Sequence, residues 1–200
     1  MRIETLSTGT GDPYSSGNEL VSGRSCQDCT LCCKLLEVEP LAKKRAVWCV
    51  HCDQKRGCRI YETRPDACQS FYCGYRRLPQ LDDRWKPAKA KFLVNYEAAS
   101  HRIVIHVDPM RPGAWRAEPY YSTLKQWARR AAGEGGTVLV WTGSRATLIL
   151  PETDKDLGEV RDDQFIVPVT RTTTSGTIVD FEVADPNDPR VTCRVLETKT

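Results

Sequence analysis

Residues 91–107 read KFLVNYEAASHRIVIHV. Two β-rich runs, KFLVNYE and HRIVIHV, flank Ala98, Ala99 and Ser100, which is the pattern of a hairpin. Phe92, Val94 and Tyr96 alternate with Leu93 and Asn95, and Ile103, Ile105 and Val107 alternate with Arg102, Val104 and His106. Each strand is therefore expected to offer one apolar face.

Downstream, PYYSTLKQWARRAA (119–132) has the period of a helix. Pro119 suits its first position and Gly133 its stop. Leu124, Trp127, Ala128 and Ala131 fall at i, i+3, i+4 and i+7 and make one buried stripe, which leaves Lys125, Arg129 and Arg130 to face water. TVLVWTG and ATLILP form a second hairpin around Gly143 and Ser144. DQFIVPVTR and GTIVDFEV add two strands that turn at Ser175 and Gly176, with Pro168 marking an edge or a bulge. The order, two strands, a helix and four strands, predicts an α+β fold: a small antiparallel sheet with one helix.

Upstream the composition changes. Of ten cysteines, nine lie between Cys26 and Cys73; Cys193 stands alone in the tail. They open with CQDCTLCC (26–33) and continue as Cys49, Cys52, Cys58, Cys68 and Cys73. A C-x2-C turn lets two thiolates reach one ion while loop N–H groups point at the sulfurs, as in zinc ribbons and iron–sulfur loops. Two such turns joined by five more cysteines are a strong signal for metal. Disulfides fit less well, because the N-terminus lacks the apolar middle of an export signal and the cluster count is odd. A closed zinc site takes four ligands, so nine thiols exceed two such sites by one. Adjacent Cys32 and Cys33 are expected to serve different places, either in two separate sites or in a cluster with bridging thiolates. Cys26–Cys32 also matches the first three positions of a ferredoxin-like loop, but Leu36 stands where the fourth cysteine belongs. Zinc and an iron–sulfur cluster therefore both remain candidate cofactors. His51, between two ligand candidates, points away more readily than it binds; His101 and His106 read as surface or packing residues.

The cysteine segment is poor in large apolar residues and is expected to be organised by metal. The chain divides into a disordered segment (1–22), a cysteine-cluster metal-binding module (23–76), a basic connector (77–91), an antiparallel β-rich module with one helix (92–184) and a polar tail (185–200). Across 200 residues the net charge is only +3, so no global field favours nucleic acid or membrane. No apolar run approaches a membrane span, and the expected compartment is the cytosol.

CQDCTLCC, WCVHC, GCRIYETRPDAC and SFYC together resemble the CxxCxxCC family of zinc- or iron-chelating, YkgJ-type cysteine-cluster proteins. The likeness covers residues 24–76, about a quarter of the chain. It implies ligand status for Cys26, Cys29, Cys32, Cys33, Cys49, Cys58, Cys68 and Cys73; Cys52 is additional to the common pattern. In the shared IYETRP stretch, Ile60 and Tyr61 are expected to shield the cluster and Arg64 to offset thiolate charge.

No phosphate loop, dinucleotide fingerprint or nucleophile–base set is evident. The leading expectation is a metal-binding protein with a mainly structural cluster, its β-rich half free to meet a protein partner. An iron–sulfur redox or electron-transfer protein is the alternative, and the chemistry these thiols admit if the chain is an enzyme. Metal delivery, served by the ninth thiol, is a further one. Nucleic acid is disfavoured: RWKPAKAK is basic and Trp85 offers a stacking ring, but Asp82 and Asp83 interrupt it.

Overall fold

The computed structural model describes residues 20–26, 29–173 and 176–191. The expected disorder of the N-terminal segment through residue 19, the turn at Ser175, and Cys193 all lie outside these residues. The architecture is mixed α/β, with several antiparallel pairings and few long helices.

The cysteine-rich segment is mostly turns. It contains α1 (Leu31–Leu35), the minimal hairpin of β1 (Cys52–Asp53) and β2 (Gly57–Cys58), α2 (Asp66–Gln69) and α3 (Gly74–Arg77). Then comes α4 (Pro87–Ala90), followed by β3 (Phe92–Glu97), β4 (Arg102–Val107), the long helix α5 (Tyr120–Gly133), β5 (Thr137–Thr142), β6 (Arg145–Ile149) and β7 (Asp154–Glu159). β8 (Phe165–Thr173) and β9 (Gly176–Ala184) form a separate two-stranded ribbon.

The main sheet runs β3-β4-β5-β6-β7. The hairpin read from residues 91–107 is present, paired from Phe92↔Val107 to Glu97↔Arg102. The second hairpin turns through Gly143, whose φ of +62° suits a residue without a Cβ. One expectation is corrected. The sheet is not wholly antiparallel, because β4 and β5 run parallel, from Arg102↔Thr137 to Val107↔Thr142. The segment containing α5 carries the chain back to the starting edge, as a parallel pair requires. At the end of this crossover a Cβ on Gly136 would stand 2.6 Å from the His101 carbonyl oxygen, so only glycine fits there.

A second correction concerns the faces. Phe92, Val94, Ile103, Ile105, Val107, Val138 and Val140 pack under Leu124, Ala128 and Ala131 of α5. The opposite face is also buried. Leu93 meets Leu31 and Leu35 of α1, while Leu139, Ala146 and Leu148 meet Val160 and Ile166, with Phe181 and Val183 from the ribbon. Covered on both sides, β4 and β5 read as near-continuous apolar runs rather than alternations. β7, DKDLGE, went unrecognised because it is a charged edge strand. Pro168 sits opposite Phe181 in the ribbon, where its strand has a partner on one side only.

The 77–91 segment supplies Leu78, Leu81, Trp85 and Ala90 to the α5-side core. Trp85 meets Phe92 and Tyr120 edge to face at 5.7 and 5.0 Å and lies 5.3 Å from Trp127. Such pairs add about 0.5–1.5 kcal/mol each beyond burial, and the ring has no free face for a nucleobase. No helix among the described residues is long and apolar enough to cross a membrane.

Lys125 does not face water as expected. It is buried, its Nζ donating to the Leu150 carbonyl at 2.8 Å and lying 2.9 Å from Asp154 Oδ1. That carboxylate contact is off the hydrogen-bonding direction, but Asp154 Oδ2 accepts from Arg116 at 3.0 Å and Tyr121 at 3.1 Å. The cluster ties the charged edge strand to α5. Asp154→Ala leaves a buried ammonium without its counter-charge and is expected to cost about 3–5 kcal/mol. Urea unfolding measures it, and a loss below about 1 kcal/mol would show that the pair carries no such burden.

Candidate metal centre

α1 begins at Leu31 because Leu31 and Leu35, four residues apart, share one face and bury it against Leu93 of β3. Successive helical residues diverge by about 100°. Cys32 packs on the Leu31–Leu35–Leu93 contact, and Cys33 reaches Cys52 while still touching Cys32. Pro40 falls within a 3-10 turn, Glu39–Leu41, after which Val38 and Lys43 form an isolated bridge. Pro65 stands just before α2, one position earlier than the sequence suggests.

All nine described cysteines are free; Cys26 is exposed and the other eight are half-buried. Their neighbours divide them into two groups. Cys29, Cys32 and Cys73 pack against Leu31, Leu35 and Leu93, and Cys26 lies near both Cys29 and Cys73. The Cys29 N–H donates to the Cys26 carbonyl at 2.9 Å, which closes the first C-x2-C turn. The Cys29 sulfur accepts the N–H groups of Leu31 and Ala88, and the Cys73 sulfur those of Tyr75 and Arg76.

The other group gathers on the outer loops. Cys52 and Cys58 face each other across β1 and β2, and the Cys52 N–H donates to the Cys49 carbonyl at 3.0 Å, closing the second C-x2-C turn. The Cys49 N–H in turn donates to the Cys33 carbonyl at 2.9 Å. Cys33 touches Cys52, and Cys68 lies near Cys33, Cys49 and Cys58. Cys32 and Cys33 also touch each other, so the groups adjoin at that dipeptide. Cys52, outside the common pattern of the resemblance, is thus within the outer group. His51 is half-buried, and its carbonyl accepts from the Arg59 N–H at 2.9 Å. Among the described residues, no three Cys, His, Asp or Glu side chains converge tightly enough to hold one ion as they stand.

The electrostatics follow from this crowding. Burial, the largest cause, raises the Cys29 and Cys68 thiols above their ordinary value, Cys73 to about 11 and Cys52 to about 12. Cys33 is raised most of all, first by its hydrogen bond with Cys32 and then by burial. Lys43, Lys86 and Arg64 pull the other way at Cys33, Cys29 and Cys68, but burial prevails and these thiols are held protonated at neutral pH.

Lys43, which the sequence did not single out, is buried beneath the outer group. Its Nζ donates to the carbonyls of Lys34 at 2.8 Å, Leu36 and Lys44. Burial lowers its pKa, against the pull of Cys33, Cys49, Cys32 and Cys68. A lysine in the run Lys43-Lys44-Arg45 gives no sequence signal of burial, because only the fold brings the end of α1 onto it. Arg64 stacks 3.7 Å over the Tyr61 ring and lies near Cys58 and Cys68. Tyr61 is exposed, so it does not shield the cluster as expected; Ile60 is half-buried.

His106 is a packing residue on the sheet face toward the cysteine segment. Its ring is half-buried, yet Nδ1 is out of solvent and unpartnered. The crevice it shares with Leu35, Arg45 and Trp141 admits no water-sized sphere. No family model matches the chain, nor does any curated protein or solved structure.

Burial, then the charges of Arg45 and Lys43, lower the His106 pKa from 6.5 to about 3. In that window the unfolded chain binds a proton that the folded ring refuses, so folding loses stability as pH falls from about 6.5 toward 3. His106→Leu is expected to flatten unfolding free energy against pH by close to one proton between about pH 6 and pH 4. An unchanged slope in urea titrations would mean that the ring protonates in the folded state.

Proposed function

We propose that this chain is a cysteine-cluster metal-binding protein, holding zinc or iron through thiolates drawn from Cys26, Cys29, Cys32, Cys33, Cys49, Cys52, Cys58, Cys68 and Cys73, and that the metal is mainly structural. One observation carries the reading: from residue 39 to residue 73 the only buried side chain is Lys43. A stretch of that length with no apolar core of its own needs another source of cohesion. Free thiols supply it when an ion gathers them, and structural zinc contributes on the order of 10 kcal/mol in small domains. The all-sulfur inventory suits a soft cation. Backbone N–H groups aimed at Cys29 and Cys73 favour sulfur in its charged form. The likeness of CQDCTLCC and its downstream motifs to zinc- or iron-chelating cysteine-cluster proteins points the same way. Because the sulfurs do not yet converge, closure on an ion means swinging side chains inward, and each protonated thiol that binds releases a proton.

Unpaired thiols at this density suit a reducing compartment such as the cytosol. An iron–sulfur redox role is the second reading, favoured by the same N–H donation to sulfur, which tunes cluster potentials. On the structural reading of the metal, the β-rich half is left to meet a protein partner.

Protein purified without oxygen is expected to contain zinc or iron by elemental analysis: colourless if zinc, brown and bleached by reductant if iron–sulfur. Chelation is expected to loosen the cysteine segment, seen as lost circular dichroism and rapid proteolysis before residue 77, with apparent affinity rising with pH. Metal-free native protein, or chelated protein with unchanged spectrum and protease resistance, would end the proposal.

A further inference from the structure

The geometry points to two metal centres in this one segment, adjoining at Cys32–Cys33: an inner one from Cys26, Cys29, Cys32 and Cys73, and an outer one from Cys33, Cys49, Cys52, Cys58 and Cys68, each taking a thiophilic divalent cation. This rests on the metal-binding reading and extends it to ligand grouping and exchange behaviour.

The inner set is assembled by tertiary structure. Cys26 and Cys29 precede α1, Cys32 lies on it, and Cys73 arrives from a distant turn. What joins them is the Leu31–Leu35–Leu93 contact, on which Cys29, Cys32 and Cys73 all pack, and Cys73 packs on the α5-side core as well. Two of the inner sulfurs are held by backbone: Cys29 by the N–H groups of Leu31 and Ala88, from α1 and α4, and Cys73 by those of Tyr75 and Arg76, from α3. An ion taken up here would be held by sulfurs that sit between the sheet and the short helices.

The outer set is assembled by local turns. The second C-x2-C turn feeds the two-residue ladder, Cys52 pairs with Cys58, and Cys68 follows at the foot of α2. The surroundings are open: Val47 is 55% exposed, Val50 74% and Tyr61 53%. This set also holds one thiol more than a tetrahedral ion uses. A spare sulfur beside a filled site lets an incoming acceptor displace one ligand at a time, which speeds exchange. Four thiolates around a divalent ion leave a double negative charge, and cations stand by to offset it: Lys43 lies near Cys33, Cys49 and Cys68 and also near Cys32 at the junction of the sets, Arg64 lies beside Cys58 and Cys68, and Lys86 lies near Cys29.

The inner ion is therefore structural and slow to leave, while the outer ion is labile. Native mass spectrometry of the full chain, produced in zinc- and then cobalt-supplemented medium, counts the ions; a chromogenic chelator times their release. Two ions per chain are expected, leaving in a fast and a slow phase. Cys49→Ser combined with Cys58→Ser leaves three outer thiols and should halve the metal content and remove the fast phase; either substitution alone leaves four and should keep two ions while slowing the fast phase. Cys73→Ser should remove the slow phase; if it does not fold, Cys26→Ser, at the exposed ligand, serves instead. Cobalt bound at separate centres gives uncoupled high-spin signals. One ion per chain, release in a single phase, substitutions in either set that empty both, or magnetically coupled cobalt would overturn the two-centre inference while leaving metal binding intact. Protein that takes up no metal at all would overturn both.

Discussion

Successive residues of one strand must satisfy two different interiors, and the rest of the structure follows from that. On β3, Phe92 points into the core under α5 while Leu93 points into the contact with Leu31 and Leu35. Successive side chains of a strand alternate between faces, so neither can be served by the same cover. The helix takes one face; the cysteine segment and the outer ribbon share the other. The segment richest in thiols is thus one wall of the sheet's packing, anchored through two leucines and one short helix.

That anchoring is narrow. Beyond Val38 the segment contributes almost nothing apolar to the interior until Tyr75. Its internal order rests on turns, a two-residue ladder, and the carbonyls gathered by Lys43. Arg24 does similar work further on, donating to the carbonyls of Leu78, at 2.9 Å, and Leu81 just past α3. Cations that collect carbonyl oxygens fix the ends of short helices, but they do not replace an apolar core. On the proposed metal-binding reading, the crowding of thiols in the same stretch would have a physical sense: sulfur gathered by an ion would be compact cohesion that needs few residues.

Local signals in the sequence were readable, and long-range ones were not. The hairpin at 91–107, the helix ending at Gly133 and the turn at Gly143 are encoded within a few residues, and all three are present. The parallel pairing of β4 with β5 depends on where a crossover lands, which no window of sequence contains. The burial of Lys125 depends on Asp154, far along the chain, and β7 hid because an edge strand can be as charged as a loop. At the candidate site the C-x2-C turns were legible from spacing, whereas the contact between the Cys32 and Cys33 thiols was not, because the spacing suggests that they part. The company of Cys73 was not, because it joins Cys26 and Cys29 only through the sheet they share. Trp85 read as a ring on a basic linker, and tertiary packing made it core.

The distance along the chain between Leu31 and its seat at Leu93 also sets a clock during biosynthesis. At about 5–20 residues per second, a ribosome needs roughly 3–12 seconds to make the strand after the front thiols appear. Until then Cys26, Cys29, Cys32 and Cys33 hang on a nascent chain with nothing to lean on, open to oxidants and stray ions. The arrival of β3 gives Leu31 and Leu35 their seat, so only then are the sulfurs beside them drawn partly out of the solvent.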